Sequence, residues 1–216
     1  MKKVSVIIAI ILFSFSVFAQ ENKVNLIPFK KYGYVDSTGN LIIDFKYDIG
    51  YPFFCERAKV SINEKFNFID PEGNYIGDTW YDYATSFSEG KAVVKLDDQY
   101  GYINKQGEVV IDIHYDYAYD YTDSLGLVME GDTAFFIDHE GEHYMDSLYF
   151  EDARPFAEGL APVKKKGLWG YVNKKGEMVI DYQFDKAKKF LNGMARVELG
   201  GITFYIDHTG KCVKNC

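Results

Sequence analysis

The sequence predicts an all-β protein of six tandem three-stranded antiparallel meanders, and three observations carry that expectation. Glycines recur at 39, 73, 107, 141, 176 and 210, spaced by 34 residues except for one interval of 35, which is the mark of an internal repeat. Each of these glycines closes a four-residue block, DSTG, DPEG, NKQG, DHEG, NKKG and DHTG. Asp or Asn opening and Gly closing suits a type I turn followed by a left-handed residue, the tip of a hairpin. Directly ahead of each block stand an aromatic and a β-branched residue, Tyr34-Val35, Phe68-Ile69, Tyr102-Ile103, Phe136-Ile137, Tyr171-Val172 and Tyr205-Ile206, the composition of a strand.

The chain opens with MKKVSVIIAIILFSFSVFAQ. A short basic start, an apolar run and small residues at Val17 and Ala19 are the features of a secretory signal peptide over residues 1–19. Gln20 stands where a lipoprotein would need Cys. The expectation is a mature chain over 20–216, exported to the periplasm or the cell exterior, with no later apolar run long enough for a membrane helix.

Each repeat then begins with a strand such as AVVKL from Ala92 or APV from Ala161. Short pairs (NE at 63, DD at 97, GD at 131, KG at 166, GG at 200) turn it into the strand that ends in the aromatic pair. After the glycine block, apolar runs such as LII, EVVI and EMVI form the returning strand. The units run from Val24 to Ile43 and then begin at Ala58, Ala92, Gly126, Ala161 and Ala195.

Five linkers join them: DFKYDIGYPF, DTWYDYATSF, DIHYDYAYDY, DSLYFEDARPF and DYQFDKAKKF. Pro52 and Pro155 predict extended chain ahead of the final aromatic, after one helical turn. Some twenty residues hold too few apolar side chains to offset the entropy of ordering them, so neighbouring units must stack, with linker aromatics in the seams. Units that are complete in register and only three strands deep favour an open, solenoid-like array; the alternative is a closed β-propeller-like ring.

The segment GLWGYVNKKGEMVIDYQFDKAKKFLNGMARV from Gly167 resembles the bacterial WG repeat, also called the KWG repeat. Its pattern runs Trp-Gly-Tyr-Ile-Asp-x-x-Gly, an apolar strand, Tyr-Asp-x-Ala, and Phe-x-x-Gly-x-Ala-x-Val. Trp169-Gly170 is the only literal Trp-Gly pair; Tyr32-Gly33 and Tyr100-Gly101 come close, while Phe66-Asn67, Ala134-Phe135 and Thr203-Phe204 depart. The departures point to looser packing in units two, four and six. The resemblance covers nearly all of residues 20–216 and implies a single β-repeat domain, often exported, with a binding role and no shared catalytic residues.

Loss of Lys2 and Lys3 with the signal peptide takes the net charge from −8 to −10. Such a polyanion does not suit nucleic acid or anionic lipid. The charge is uneven: Asp112 to Glu158 holds thirteen acids and the single Arg154, whereas Ala161 to Gly200 holds nine Lys or Arg and four acids. The lysines at 164, 165, 166, 174, 175, 186, 188 and 189 form either a solvated face or a surface for an anionic partner. Cys55, Cys212 and Cys216 allow one disulfide, either between the last two or with Cys55.

His139-Glu-Gly-Glu-His143 matches the H-E-x-x-H spelling of zinc proteases. That chemistry needs both imidazoles one turn apart on a helix, and the repeat register instead puts Gly141 at a hairpin tip and His143 on a strand. Asp44, Asp78, Asp112, Asp146 and Asp181 recur once per unit, either capping the turn that follows or offering oxygen ligands to calcium. No nucleophile constellation or phosphate-binding glycine loop is present in the sequence. The expectation is a protein without enzymatic activity, cofactor or metal.

Binding is sought where the copies differ, because positions the fold needs are shared. Tyr51, Trp80, Tyr83, Tyr117 and Tyr119 stand in the first three linkers where other copies carry Lys, Thr, Gln or Arg, interleaved with Asp82, Asp116, Asp120 and Asp123. Aromatics beside carboxylates suit a protein hot spot or sugar stacking; tyrosine also tolerates half-exposed sites without function. The candidate surface is therefore Tyr51, Trp80, Tyr83, Tyr117, Tyr119, Asp116 and Asp120. The expected partner is a protein, with a glycan as the alternative.

Overall fold

A computed structural model describes residues 30–145 and 148–216. The proposed signal peptide and the first strand of the first repeat lie outside the described residues, as does Asp146. Among the described residues every regular element is a β-strand, and every pairing between strands is antiparallel. The chain divides into two compact units, Met1–Ala84 and Thr85–Cys216.

In the first unit β1 (Tyr32–Val35) pairs with β2 (Leu41–Tyr47). A second sheet runs in the order β3 (Ile49–Phe54), β4 (Arg57–Ile62), β5 (Lys65–Ile69), and the short β6 (Tyr83–Ala84) closes the unit. The second unit begins with β7 (Lys91–Leu96), β8 (Gln99–Asn104) and β9 (Val109–Tyr115), paired in that order. Next come β10 (Tyr117–Ala118), β11 (Gly126–Glu130) and β12 (Thr133–Ile137). The following sheet has four strands: β13 (Asp152–Ala153), β14 (Leu160–Lys165), β15 (Leu168–Asn173) and β16 (Met178–Phe184). So does the last: β17 (Lys186–Ala187), β18 (Ala195–Leu199), β19 (Ile202–Ile206) and β20 (Cys212–Lys214).

Three-stranded meanders are thus too simple a description. The linkers are not spacers with a helical turn: their first halves continue β2, β9 and β16, and their second halves form β3, β10, β13 and β17, which pair with the strand that follows. The turn back is a two-residue hairpin with both residues at positive φ, as at Glu89-Gly90, Glu158-Gly159 and Asn192-Gly193, the type I′ geometry that matches strand twist. Adjacent turns in the second unit are tied together. Glu89 accepts the Ser124 N–H at 2.9 Å, Asp123 the Gly159 N–H at 3.4 Å, and Glu158 the Gly193 N–H at 3.0 Å.

The hairpin tips carrying the repeat glycines form as expected. Asp36 accepts the N–H groups of Thr38 and Asn40 through its side chain, and Gly39 takes φ 91°. The recurrent aspartates behave differently from the capping expectation. Asp44, Asp112 and Asp181 sit exposed on β2, β9 and β16, and the caps come from the acid four residues later. Asp48 accepts the Asn63 N–H at 2.7 Å, Asp116 that of Gly131 at 2.7 Å and Asp185 that of Gly200 at 2.6 Å, while Glu151 takes the Lys166 and Gly167 N–H groups. The longer reach follows from geometry: the acid at the start of the linker strand lies beside the tip of the next hairpin, fifteen residues on.

Packing between repeats uses the last linker aromatic, which enters the core of the repeat before it. Phe53 packs edge-on to Tyr34 at 5.2 Å, Tyr121 to Tyr102 at 5.0 Å and Phe190 to Tyr171 at 5.1 Å. The tyrosine hydroxyls donate to linker carbonyls: Tyr34 to Tyr51 at 3.0 Å, Tyr102 to Tyr119 at 2.8 Å and Tyr171 to Lys188 at 2.9 Å. Tyr34, Tyr102 and Tyr171 are all 0 % exposed, so the hydrogen bond is what makes their burial tolerable. Burial pushes all three phenols well above their ordinary range. Cys212 and Cys216 form a disulfide across the end of the last sheet, and Cys55 is an exposed thiol.

Candidate functional site

The His139 to His143 segment is a hairpin tip. Gly141 takes φ 87°, and His143 bridges to Ile137 across the turn. The His139 ring stacks on Tyr121 at 4.9 Å and its Nδ1 accepts from Lys91 Nζ at 2.8 Å, whereas the His143 ring stacks on Phe135 at 4.6 Å. The two imidazoles have different partners and do not converge as a helical zinc site requires.

The candidate aromatics fall into separate clusters. In the first unit Tyr51 and Tyr83 meet at Lys59, whose Nζ lies 4.1 Å from the Tyr51 ring centroid and 6.0 Å from that of Tyr83 while donating to the Ala84 carbonyl at 2.6 Å. The cage is filled by the chain's own ammonium. Trp80 does not join it; its ring packs edge-on against Tyr75 at 5.3 Å.

In the second unit Tyr117 and Tyr119 do come together. Ala118, the last residue of β10, is buried between them, so both rings project to the same side of the linker. They lie 4.9 Å apart, and Tyr117, 41 % exposed, also packs on Tyr100 at 5.0 Å. Burial raises the Tyr119 phenol, opposed by the charge of Arg154 beside it. Arg154 in turn lies 4.8 Å over the Trp169 ring and is held by Asp152 at 2.7 Å and the Ala153 carbonyl at 2.9 Å. The result is a strip running Tyr100, Tyr117, Tyr119, Arg154, Trp169 across three successive sheets.

Asp116, a candidate contact, is used as the cap of the Gly131 turn. Asp120 is exposed in the linker, one residue from Tyr119. Arg154 and Trp169 were not among the sequence candidates. In the sequence Trp169 marks the repeat signature, and Arg154 is distinguished only as the lone base among the thirteen acids of residues 112–158. A strip of this kind offers aromatic faces, one fixed guanidinium and a nearby carboxylate, which suits stacking against a flat apolar group with polar edges.

The model of the WG containing repeat matches residues 32–66, 68–100, 100–133, 147–169 and 169–201. The chain belongs to the WG containing repeat family. Those matches span five of the six repeat periods and include Trp169-Gly170 and the strip residues. No curated protein matches the chain.

Among solved structures, the β-propeller-like Hsv2 of Kluyveromyces marxianus aligns with a TM-score of 0.50 at 12 % identity, covering 73 % of this chain and 57 % of that one. A eukaryotic initiation factor aligns with a TM-score of 0.52 at 13 % identity, covering 84 % of this chain and 59 % of the other. The chain therefore spans less than two thirds of either. At these identities the likeness concerns fold alone, a succession of small antiparallel sheets. Among the described residues no helix is long and apolar enough to cross a membrane.

Proposed function

We propose that this repeat protein is an exported, non-enzymatic scaffold that binds another protein at the cell envelope through the face formed by its linker strands. The observation that carries the reading is the strip of Tyr117, Tyr119, Arg154 and Trp169. It lies where the repeats differ from one another, and Tyr117, 41 % exposed, and the half-buried Tyr119 stay open at the surface beside Arg154, which covers the buried Trp169 ring. Aromatic and arginine side chains held rigid by their neighbours are the residue types on which protein interfaces concentrate binding energy. Export rests on the features of residues 1–19.

A photo-crosslinking residue at position 117, in cells, tests this against the same residue at position 149, whose tyrosine is 49 % exposed elsewhere on the unit. The expected outcome is one defined cross-linked protein from position 117, absent from 149 and lost on Arg154→Ala. Equal yields from both positions, or none, would remove the reading. Asp120 beside Tyr119 favours a second possibility, a sugar stacked on the tyrosine with its hydroxyls on the carboxylate. A glycan array on wild type and Tyr117→Ala, a change at an exposed ring, separates the two, since a defined sugar signal lost in the variant belongs only to the glycan reading.

A further inference from the structure

The sixth repeat keeps a stacking slot that earlier repeats fill. In the fifth, Leu160 and Tyr171 form the walls of a hydrophobic recess that Phe190 closes, and all three are buried. The Tyr171 hydroxyl donates to the carbonyl of Lys188, two residues ahead of that phenylalanine. Tyr102 repeats the arrangement with the Tyr119 carbonyl and the Tyr121 ring, and Tyr34 repeats it with the Tyr51 carbonyl and the Phe53 ring. What the slot takes is therefore written three times in the molecule. It accepts an extended segment whose carbonyl receives the tyrosine proton and whose aromatic, two residues on, seats edge-on against the tyrosine ring.

In the sixth repeat the corresponding walls are Met194 and Tyr205. They line an open hollow together with Leu191, Lys188, Lys189 and Arg196. Tyr205 is only half-buried, and its hydroxyl has no hydrogen-bond partner among the described residues. The chemistry of the rim has also changed. Where the fifth repeat has Pro162, the sixth has Arg196, and Lys188 stands in the place of Arg154. Lys188, Lys189 and Arg196 are exposed and form no ion pair among the described residues, and Lys214 Nζ lies 5.4 Å over the Tyr205 ring. Four cations thus surround an apolar recess built for an aromatic side chain.

We propose that this hollow docks an extended acidic segment of a partner protein that carries Tyr or Phe two residues after the carbonyl taken by Tyr205. Charge selects the acidic character, because unpaired cations around a partly desolvated recess favour carboxylates. The three filled slots select the extended backbone and the spacing of the aromatic. The site is separate from the Tyr117 to Trp169 strip and stands whether or not that strip binds.

The test uses a fluorescein-labelled peptide with the sequence of residues 112–125, DIHYDYAYDYTDSL, which is acidic and has the right spacing at Tyr119 and Tyr121. Anisotropy titration with the full chain at low ionic strength should show saturable binding. Changing the peptide residue corresponding to Tyr121 to alanine should weaken it at least tenfold, with the protein untouched so that folding is not in question. Arg196→Glu in the protein should weaken it similarly, while Lys105→Glu on another repeat should not. Absence of saturable binding overturns the proposal, as does binding indifferent to both the peptide alanine and Arg196→Glu. Two further outcomes also overturn it: concentration-dependent self-association that is lost in Arg196→Glu, which would make a second copy the occupant, and binding only to a chain lacking residues 1–29, which would make that segment the occupant.

Discussion

The first five repeats fall into two kinds, and one position divides them. Gly33, Gly101 and Gly170 follow the aromatic of the second strand, and there the third strand is seven residues long: Leu41–Tyr47, Val109–Tyr115 and Met178–Phe184. Its register slips against the second strand in each case, Trp169 facing Phe184 while Tyr171 faces Ile180. The slip brings the third strand across the glycine. A Cβ on Gly170 would lie 2.5 Å from the Ile180 carbonyl oxygen, and one on Gly101 would lie 2.7 Å from that of Ile111.

Asn67 and Phe135 hold the same position in repeats two and four, and there the third strand shrinks to isolated bridges, Ile69 to Tyr75 and Phe66 to Tyr81, Ile137 to His143 and Ala134 to Phe150. The side chains take over the space. The buried Asn67 donates to the Gly77 carbonyl at 2.9 Å, and Phe135 stacks on His143 and meets Tyr149 edge-on at 5.6 Å. The Trp-Gly spelling therefore matters for its glycine: it admits a crossing strand that any side chain would push away.

The largest expected effect comes from forcing one kind of repeat toward the other. Gly170→Val should cost roughly 3 kcal/mol or more, since its side chain meets backbone that has no free volume to yield. Phe135→Gly should cost a similar amount through lost packing, about 3 kcal/mol, without creating a third strand. Chemical denaturation measures both, and a Gly170→Val protein of wild-type stability would undo the account of the glycine.

A smaller contrast separates a filled slot from the open one. Tyr171→Phe removes the bond to the Lys188 carbonyl and strands that acceptor, for a loss of about 1 kcal/mol. Tyr205→Phe, with no bond to lose among the described residues, should stay within about 0.5 kcal/mol of wild type. Equal losses at the two positions would mean that the sixth tyrosine already has an occupant.

The pH dependence sharpens the comparison least but covers the whole fold. The Lys31 ammonium and the Asn63 N–H hold the Asp48 carboxyl below its ordinary range, and the Gly167 and Lys166 N–H groups do the same for Glu151. Depressed carboxylates stabilise the fold above their unfolded values of about 4 and lose that contribution as pH falls through the folded ones. The raised phenols of Tyr34, Tyr102 and Tyr171 act in the opposite sense, stabilising below about pH 10 and ceasing to do so as pH rises further. Thermal melts across pH should therefore show a plateau with an acid and an alkaline fall, and Glu151→Gln should soften the acid limb slightly. An alkaline limb unchanged in Tyr171→Phe would argue against the buried phenol.

Much of the hairpin framework could be read from residues. The DSTG-type tips, the NE and DD turns at Asn63-Glu64 and Asp97-Asp98, and the strand that ends in each aromatic pair all formed as expected. These are local choices, decided by which residues tolerate positive φ and by alternation along a strand. Assigning the linkers was harder, because a two-residue strand such as Lys186–Ala187 leaves no periodicity to detect. The candidate surface was legible in part. Tyr117 and Tyr119 were found by difference between copies, but their neighbour Arg154 belongs to the next repeat, thirty-five residues from Tyr119.

The sequence alone determined the repeat period, the turns and the all-β character, because each depends on residues a few positions apart. Only the tertiary structure decided which acids cap which tips, which cysteines pair, where the third strand survives and which aromatics remain open. Those outcomes depend on what sits across a sheet or in the next repeat, where a single Cβ or one unpaired hydroxyl determines whether two segments can touch.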